Sequence, residues 1–171
     1  FNFCRDELIL GVKKSKHPFH ACALSSVENN APFSRMVVSR GITPSLTECC
    51  VHSDCRSQKN RQLLHNPNAS LLYYSTPQKL QIRFNGTAII NENPMNEYFS
   101  SSSPHSKLCY AYPTPPSTII SKSTKESLHS DISVNSFCTD TAKNNFSSIH
   151  IQIQSLDVLW LSKSGHIRIQ G

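Results

Sequence analysis

The stretch of this chain best suited to chemistry is Ser53 to Gln62, SDCRSQKNRQ. Ser57 reads as the N-cap of a helix over Gln58 to His65, which Asn66-Pro67 ends because proline cannot continue it. A helix start leaves four backbone N–H groups without internal partners and carries roughly half a positive charge, so it attracts anions. Arg56 and Lys59 stand beside that end, and Arg35, on a strand that would neighbour it, would add a bidentate grip. The chemistry this suggests is the holding of a phosphate.

The charge distribution agrees. Of a formal net charge of +6, most lies between Asn29 and Asn91, where Arg35, Arg40, Arg56, Lys59, Arg61, Lys79 and Arg83 face only Glu48 and Asp54. A phosphate-bearing ligand accounts for this, and so would a nucleic-acid surface or a solvated basic face. The absence of an Arg-rich run or an aromatic RNP-like motif argues against nucleic acid as a partner. Cys49, Cys50, His52, Cys55 and His65 raise the possibility of zinc. In a strand, however, Cys50 and His52 face one way and Cys49 the other, so these neighbours do not converge, and no metal is expected.

Bulk composition bounds the rest. A chain of 171 residues, 37% apolar and 16% charged, is expected to form one domain, residues 1–171. No apolar run approaches the ~20 residues of a spanning helix, so no membrane association is expected. The N-terminal Arg5, Asp6 and Glu7 do not read as a secretory signal, and seven cysteines without framework spacing read as free thiols. Together they point to a cytoplasmic protein.

The elements that must position these groups are mostly strands. Residues 1–30 show helical promise only around Asp6 to Val12. Ser34–Ser39 reads as a strand, with a turn at Gly41–Pro44, and Glu48–Ser53 as a second. Ala69–Tyr74 is a third. Leu80, Ile82 and Phe84 alternate with Gln81, Arg83 and Asn85, the period of a strand with one wet face, so Gln81 and Arg83 point together toward a cleft. Asn85-Gly86 either turns the chain or lets the strand bend and run on through Ile90. Asn93–Phe99 suggests a short helix, and about 100–145 a Ser/Pro-rich loop or insertion. Ile149, Ile151 and Ile153 alternate in another strand, followed by strands at Asp157–Ser162 and His166–Gln170. The expected fold is mainly β, an antiparallel barrel with a few short helices.

Several segments then fall in a familiar order: Arg35-Met-Val-Val-Ser-Arg40, Ser53-Asp-Cys-Arg-Ser-Gln-Lys59, Asn66-Pro-Asn-Ala-Ser-Leu-Leu72, and Leu80-Gln-Ile-Arg83 with Gly86-Thr-Ala88. Together they resemble the pyridoxamine 5′-phosphate oxidase family of FMN-binding split barrels, in its shorter branch. The likeness resumes at Leu159-Trp160 and His166-Ile-Arg168.

That resemblance implies a Greek-key split β-barrel, FMN as cofactor, and a homodimer with the flavin at the subunit interface. Arg35, Met36, Val37, Val38 and Arg40 would line the flavin, with Arg35 approaching its phosphate. His52 and Ser53 would contact the ring and ribityl chain, Gln58 and Lys59 would hold the phosphate, and Gln81 would bond the isoalloxazine. Trp160 and Arg168 would reach the flavin of the other subunit. The implied activity is an FMN-dependent oxidoreductase acting on a small molecule, with His166 and Arg40 as the candidate catalytic groups. The alternative is a non-catalytic flavin or B6-vitamer binding protein. For the vitamin B6 enzyme's substrate phosphate, Arg40 replaces a lysine, Tyr98 matches a tyrosine, and Ser100–Ser103 stands where an arginine is needed. Pyridoxamine phosphate is therefore not the expected substrate.

Overall fold

The computed structural model describes residues 2–93, 97–118 and 139–171. Its strands are β1 (Ala21–Glu28), β2 (Ala31–Ile42), β3 (Glu48–Asp54), β4 (Asn68–Ser75), β5 (Leu80–Asn91), β6 (Phe146–Trp160) and β7 (Ile167–Gln170). Its helices are α1 (Asn2–Lys13), α2 (Gln58–His65), α3 (Glu97–Ser101), α4 (Pro104–Ala111) and α5 (Thr139–Asn145), with a 3-10 turn at Pro18–His20. No described helix is long and apolar enough to cross a membrane.

The strands run in the order β3-β2-β1-β4-β5-β6-β7, and a further β3–β6 pairing closes the first six into a barrel, as the mainly β reading expects. Closure leaves no long edge on those six strands. The chain divides into two compact units. The first comprises Phe1–His52, Gln62–Ile90 and Ile149–Gly171; the second comprises Ser53–Arg61 and Asn91–Ser148.

The first unit is built around the alternation of its strands. Cys22 and Leu24 of β1, Cys49 and Val51 of β3, Leu71 and Tyr73 of β4, Ile82 and Phe84 of β5, and Ile149 and Ile151 of β6 fill the core. Tyr73 sits at its centre, edge-on to Phe19 and Phe84, with ring centroids 6.1 Å away in each case. Its hydroxyl donates to Ser39 Oγ at 3.1 Å, so a buried phenol keeps a partner. In the second unit, Phe99 and Tyr110 pack edge-on against Phe146, beside buried Ala142.

Several elements differ from the sequence expectations. β1 carries no visible period because its inward residues, Cys22, Leu24 and Ser26, contrast weakly with Ala, Ser and Val between them. The chain does not turn at Gly41; β2 continues to Ile42 and the turn occupies residues 44–47. Asn85-Gly86 does not turn either, since β5 runs unbroken to Asn91. A Cβ on Gly86 would lie 2.0 Å from the Gln152 carbonyl oxygen, so glycine is what lets β6 approach β5 there. The two strands expected over 149–162 are one strand of 15 residues. The expected loop from residue 100 contains α4, capped by Ser103, whose hydroxyl accepts the Ser106 N–H at 3.2 Å, with Pro104 at the first helical position. The part of that stretch from 119 to 138 lies outside the described residues.

Candidate cofactor site

The segment from Ser53 to Gln62 folds as expected, with α2 spanning eight residues soon after β3. Its entry is a hydrogen-bonded knot. Asn60, fully buried, accepts from Ser53 Oγ at 2.6 Å and Ser57 Oγ at 3.3 Å, and donates to Ser147 Oγ at 2.8 Å. Ser57 holds the N-cap position, but its hydroxyl bonds the side chains of Ser53, Asn60 and Lys59, the last at 3.3 Å. Arg56 grips Asp54 through Nε at 2.9 Å and a terminal nitrogen at 2.7 Å, and also reaches the Tyr112 carbonyl at 3.1 Å. The Asp54 side chain thereby neutralises one of the two cations that the sequence places beside this helix start. Lys59 is half-buried and Gln58 exposed on the first turn.

Arg35 lies inside a different network. Its guanidinium donates to Ser26 Oγ at 2.8 Å, to Gln62 Oε1 at 2.6 Å, and to the carbonyls of Leu24 at 3.2 Å and Phe33 at 3.3 Å. Gln62 is fully buried and passes the connection on to Glu28 Oε2 at 3.2 Å. Burial lowers the pKa of the guanidinium. Arg35 thus fastens β2 and β1 to Gln62 in the last part of α2.

Along the rest of that strand the side chains alternate. Val37 and Ser39 are buried, whereas Met36 and Arg40 are exposed and Val38 is intermediate. The β2–β3 register slips between Ser39 and Gly41, which makes Arg40 the extra residue of a bulge. Bulges re-aim side chains in this way. Arg40 is exposed and makes no hydrogen bond or ion pair among the described residues.

On the side of β3 and β6 turned away from the core stands a cluster of polar side chains. His150 Nδ1 lies 3.0 Å from Glu48 Oε1, Gln152 Nε2 donates to Glu48 Oε2 at 2.5 Å, and His150 Nε2 is 4.0 Å from Cys50 Sγ. The His52 pKa is pushed down to about 4 by burial first, then by Arg40 and by His150. Burial, with help from Glu48, pushes the Cys50 thiol up to about 12. Among the described residues no group of three or more His, Cys, Asp or Glu side chains is arranged to hold a metal ion.

Gln81 is half-buried on β5, paired in register with Tyr74, and Arg83 shares its face. Arg83 donates to Asp157 Oδ2 at 2.6 Å, and Arg168 adds two bonds to the same carboxylate at 2.9 Å each. These contacts hold the Asp157 carboxyl below its usual range, chiefly through the hydrogen bonds from Arg168. Trp160 is 54% exposed, and with Phe3, Ile167 and Ile169 it borders an apolar groove of about 810 Å³. His166 Nδ1 accepts the Ser162 N–H at 3.2 Å and so caps the β6–β7 turn.

Sequence reasoning missed Asn60, Gln62, Glu48, His150 and Gln152. Asn60 was detectable as a polar residue at i+3 from Ser57, on the same helix face, whereas Gln62 points to a different face and carries no local signal of its burial. The pairing of Glu48 with His150 leaves no local signal, because it exists only once β3 meets β6.

Comparison with known proteins adds three results. No curated protein sequence matches this chain. Among solved structures, a pyridoxamine 5′-phosphate oxidase-related, FMN binding protein from Nostoc punctiforme superposes with a TM-score of 0.76 at 18% identity, covering 98% of this chain and 88% of that one. PhzG from Burkholderia lata, solved with tetrahydrophenazine-1-carboxylic acid, gives 0.67 at 18% identity, covering 88% and 75%. General Stress Protein 26 from Bacillus anthracis gives 0.52 at 16%, covering 97% and 98%. At these identities the likeness is one of fold. The family model for the pyridoxamine 5′-phosphate oxidase FMN-binding domain matches residues 5–92, from α1 to the end of β5 and more than half of the chain. This chain therefore belongs to the family of the pyridoxamine 5′-phosphate oxidase FMN-binding domain.

Proposed function

We propose that this protein binds FMN and works as an FMN-dependent oxidoreductase on a small molecule other than pyridoxamine phosphate. The observation that carries the reading is the match of residues 5–92 to an FMN-binding domain, with a helix start bearing Lys59 soon after β3 inside that span. The donor set suits the cofactor. A cation and a helix start serve a phosphate, the half-buried amide of Gln81 serves a polar ring edge, and Met36, Val38 and Arg40 line the exposed side of β2. Ser53, Gln58 and Lys59 are the groups we assign to the phosphate end, and His52, Arg40 and Gln81 to the ring. FMN supplies hydride and electron transfer when bound, and the protein's share is binding, orientation and proton supply.

Because Arg56 is paired with Asp54, Lys59 is the cation on which the phosphate grip depends most. Arg35 contributes by holding β2 and α2 in place. A homodimer is part of the same proposal. The exposed apolar side chains of Phe3, Trp160, Ile167 and Ile169 form a patch of the kind that a partner subunit covers, and Trp160 and Arg168 would then approach the partner's cofactor. One observation favours the non-catalytic alternative, namely that His166 is engaged in a turn and Arg40 alone remains of the two catalytic candidates. Purified protein loaded with FMN and mixed with a reduced nicotinamide decides between them: bleaching of the flavin band with turnover supports the enzyme, and a flavin that stays oxidised supports the carrier.

A further inference from the structure

We propose that the apolar groove beside Trp160 binds a small amphipathic anion, an apolar chain or ring ending in a single carboxylate. The groove lies wholly within the first unit. Its floor is Leu80 and Val158, both buried, and its walls are the exposed side chains of Phe3, Trp160, Ile167 and Ile169. The β6–β7 pairing builds most of it: Trp160 stands opposite Ile167 and Val158 opposite Ile169, so these four share one face of the ladder. At about 810 Å³ the hollow falls in the usual range for small-molecule sites, and an apolar lining is what such sites offer the body of a ligand. This site stands apart from the FMN reading, since its lining shares only Trp160 with the groups assigned to the flavin.

Charge selects the other end of the ligand. Lys79 and Lys163 also line the groove, both exposed, and among the described residues neither side chain has a partner. The Lys79 carbonyl accepts the Leu161 N–H at 2.9 Å, so the two turns that carry these lysines meet at one end of the groove. Among the described residues no acid lines it. Glu7, which accepts from the lining Gln78, is committed to that amide and lies 3.4 Å from His17 Nε2. Asp157, next to Val158, points to the opposite face and is held by Arg83 and Arg168. An apolar hollow with two uncompensated cations at one end suits a ligand whose single negative charge is terminal. A second copy of this chain brings the same patch to a two-fold contact, lysines included, and so supplies apolar cover but no counter-charge.

Trp160 is the chain's single tryptophan, so its emission reports on the groove directly. Flavin-free protein is titrated with decanoate and, separately, with decanamide, its neutral counterpart of equal length. Decanoate should shift the Trp160 emission to shorter wavelength and saturate at a single site, binding roughly 10-fold more tightly than decanamide. Lys79→Gln combined with Lys163→Gln should bring decanoate down to the decanamide affinity and leave decanamide unchanged. Both positions are exposed, so this double variant should unfold in urea as the wild type does. Raised ionic strength should narrow the gap between the two ligands in the wild type. Equal affinity for both ligands in the wild type, or an advantage for decanoate that survives in the double variant, overturns the proposal. Binding that weakens as protein concentration rises would give the groove to a second copy, and competition with FMN would give it to the flavin ring; either result also overturns it. Protein that takes up no FMN but passes the decanoate test loses the FMN reading and keeps this site.

Discussion

Arg35 and Lys59 offer a test in which two cations near one predicted phosphate site should behave in opposite ways. Arg35 makes four hydrogen bonds to neutral acceptors, two of them to the buried side chains of Ser26 and Gln62. Bonds from a charged donor contribute about 1.5–3 kcal/mol each, and Ser26 and Gln62 keep one bond to each other after Arg35 is removed. Arg35→Ala should therefore destabilise the FMN-free protein by about 2–4 kcal/mol. Lys59 is half-buried and bonds Ser57 Oγ at 3.3 Å, so Lys59→Ala should cost under about 0.5 kcal/mol of stability. It should weaken FMN binding roughly 10-fold or more, because a charge-assisted phosphate contact is lost. Urea unfolding of the FMN-free variants and fluorescence titration with FMN measure both quantities. Arg35→Ala protein as stable as the wild type, within about 0.5 kcal/mol, would refute the reasoning that makes Arg35 a fastening residue.

Two further outcomes follow from the geometry. Gly86→Ala places a methyl group 2.0 Å from the Gln152 carbonyl oxygen, which must push β5 and β6 apart; a loss of about 3 kcal/mol or more is expected by urea unfolding, and a loss below about 1 would mean the strands are not so close. His52 has its pKa lowered from 6.5 to about 4 in the folded protein, so the unfolded chain binds the extra proton between those values and stability rises with pH across that window. After allowance for partial exposure the effect is about 1–2 kcal/mol, present above pH 6.5 and lost by pH 4; His52→Gln should flatten this slope, and an unchanged slope would assign it to another group.

How much of this was legible in the sequence depends on the range of each interaction. The alternation of Leu80 to Phe84 and the Asn66-Pro67 stop after α2 are local signals, and both elements stand where they were expected. The Ser103-Pro104 start of α4 was equally local, but the surrounding serines and prolines masked it by composition. β1 was hidden because small and polar residues occupy both of its faces. Within the site, residue types were readable but their commitments were not. Arg35 is bound by Gln62, 27 positions later, and by Ser26 on the unforeseen β1. Glu48 meets His150 across 102 positions, a contact created by barrel closure that no periodicity encodes. The same closure buries Cys50 beside His150 and holds it as a neutral thiol.

The central claim is that this barrel holds FMN, and equilibrium titration of the purified, flavin-free protein with FMN addresses it directly. Binding should saturate at one FMN per chain, with the flavin fluorescence altered and the affinity reduced in Lys59→Ala. A wild-type protein that leaves the fluorescence of added FMN unchanged, at any excess, would contradict the account.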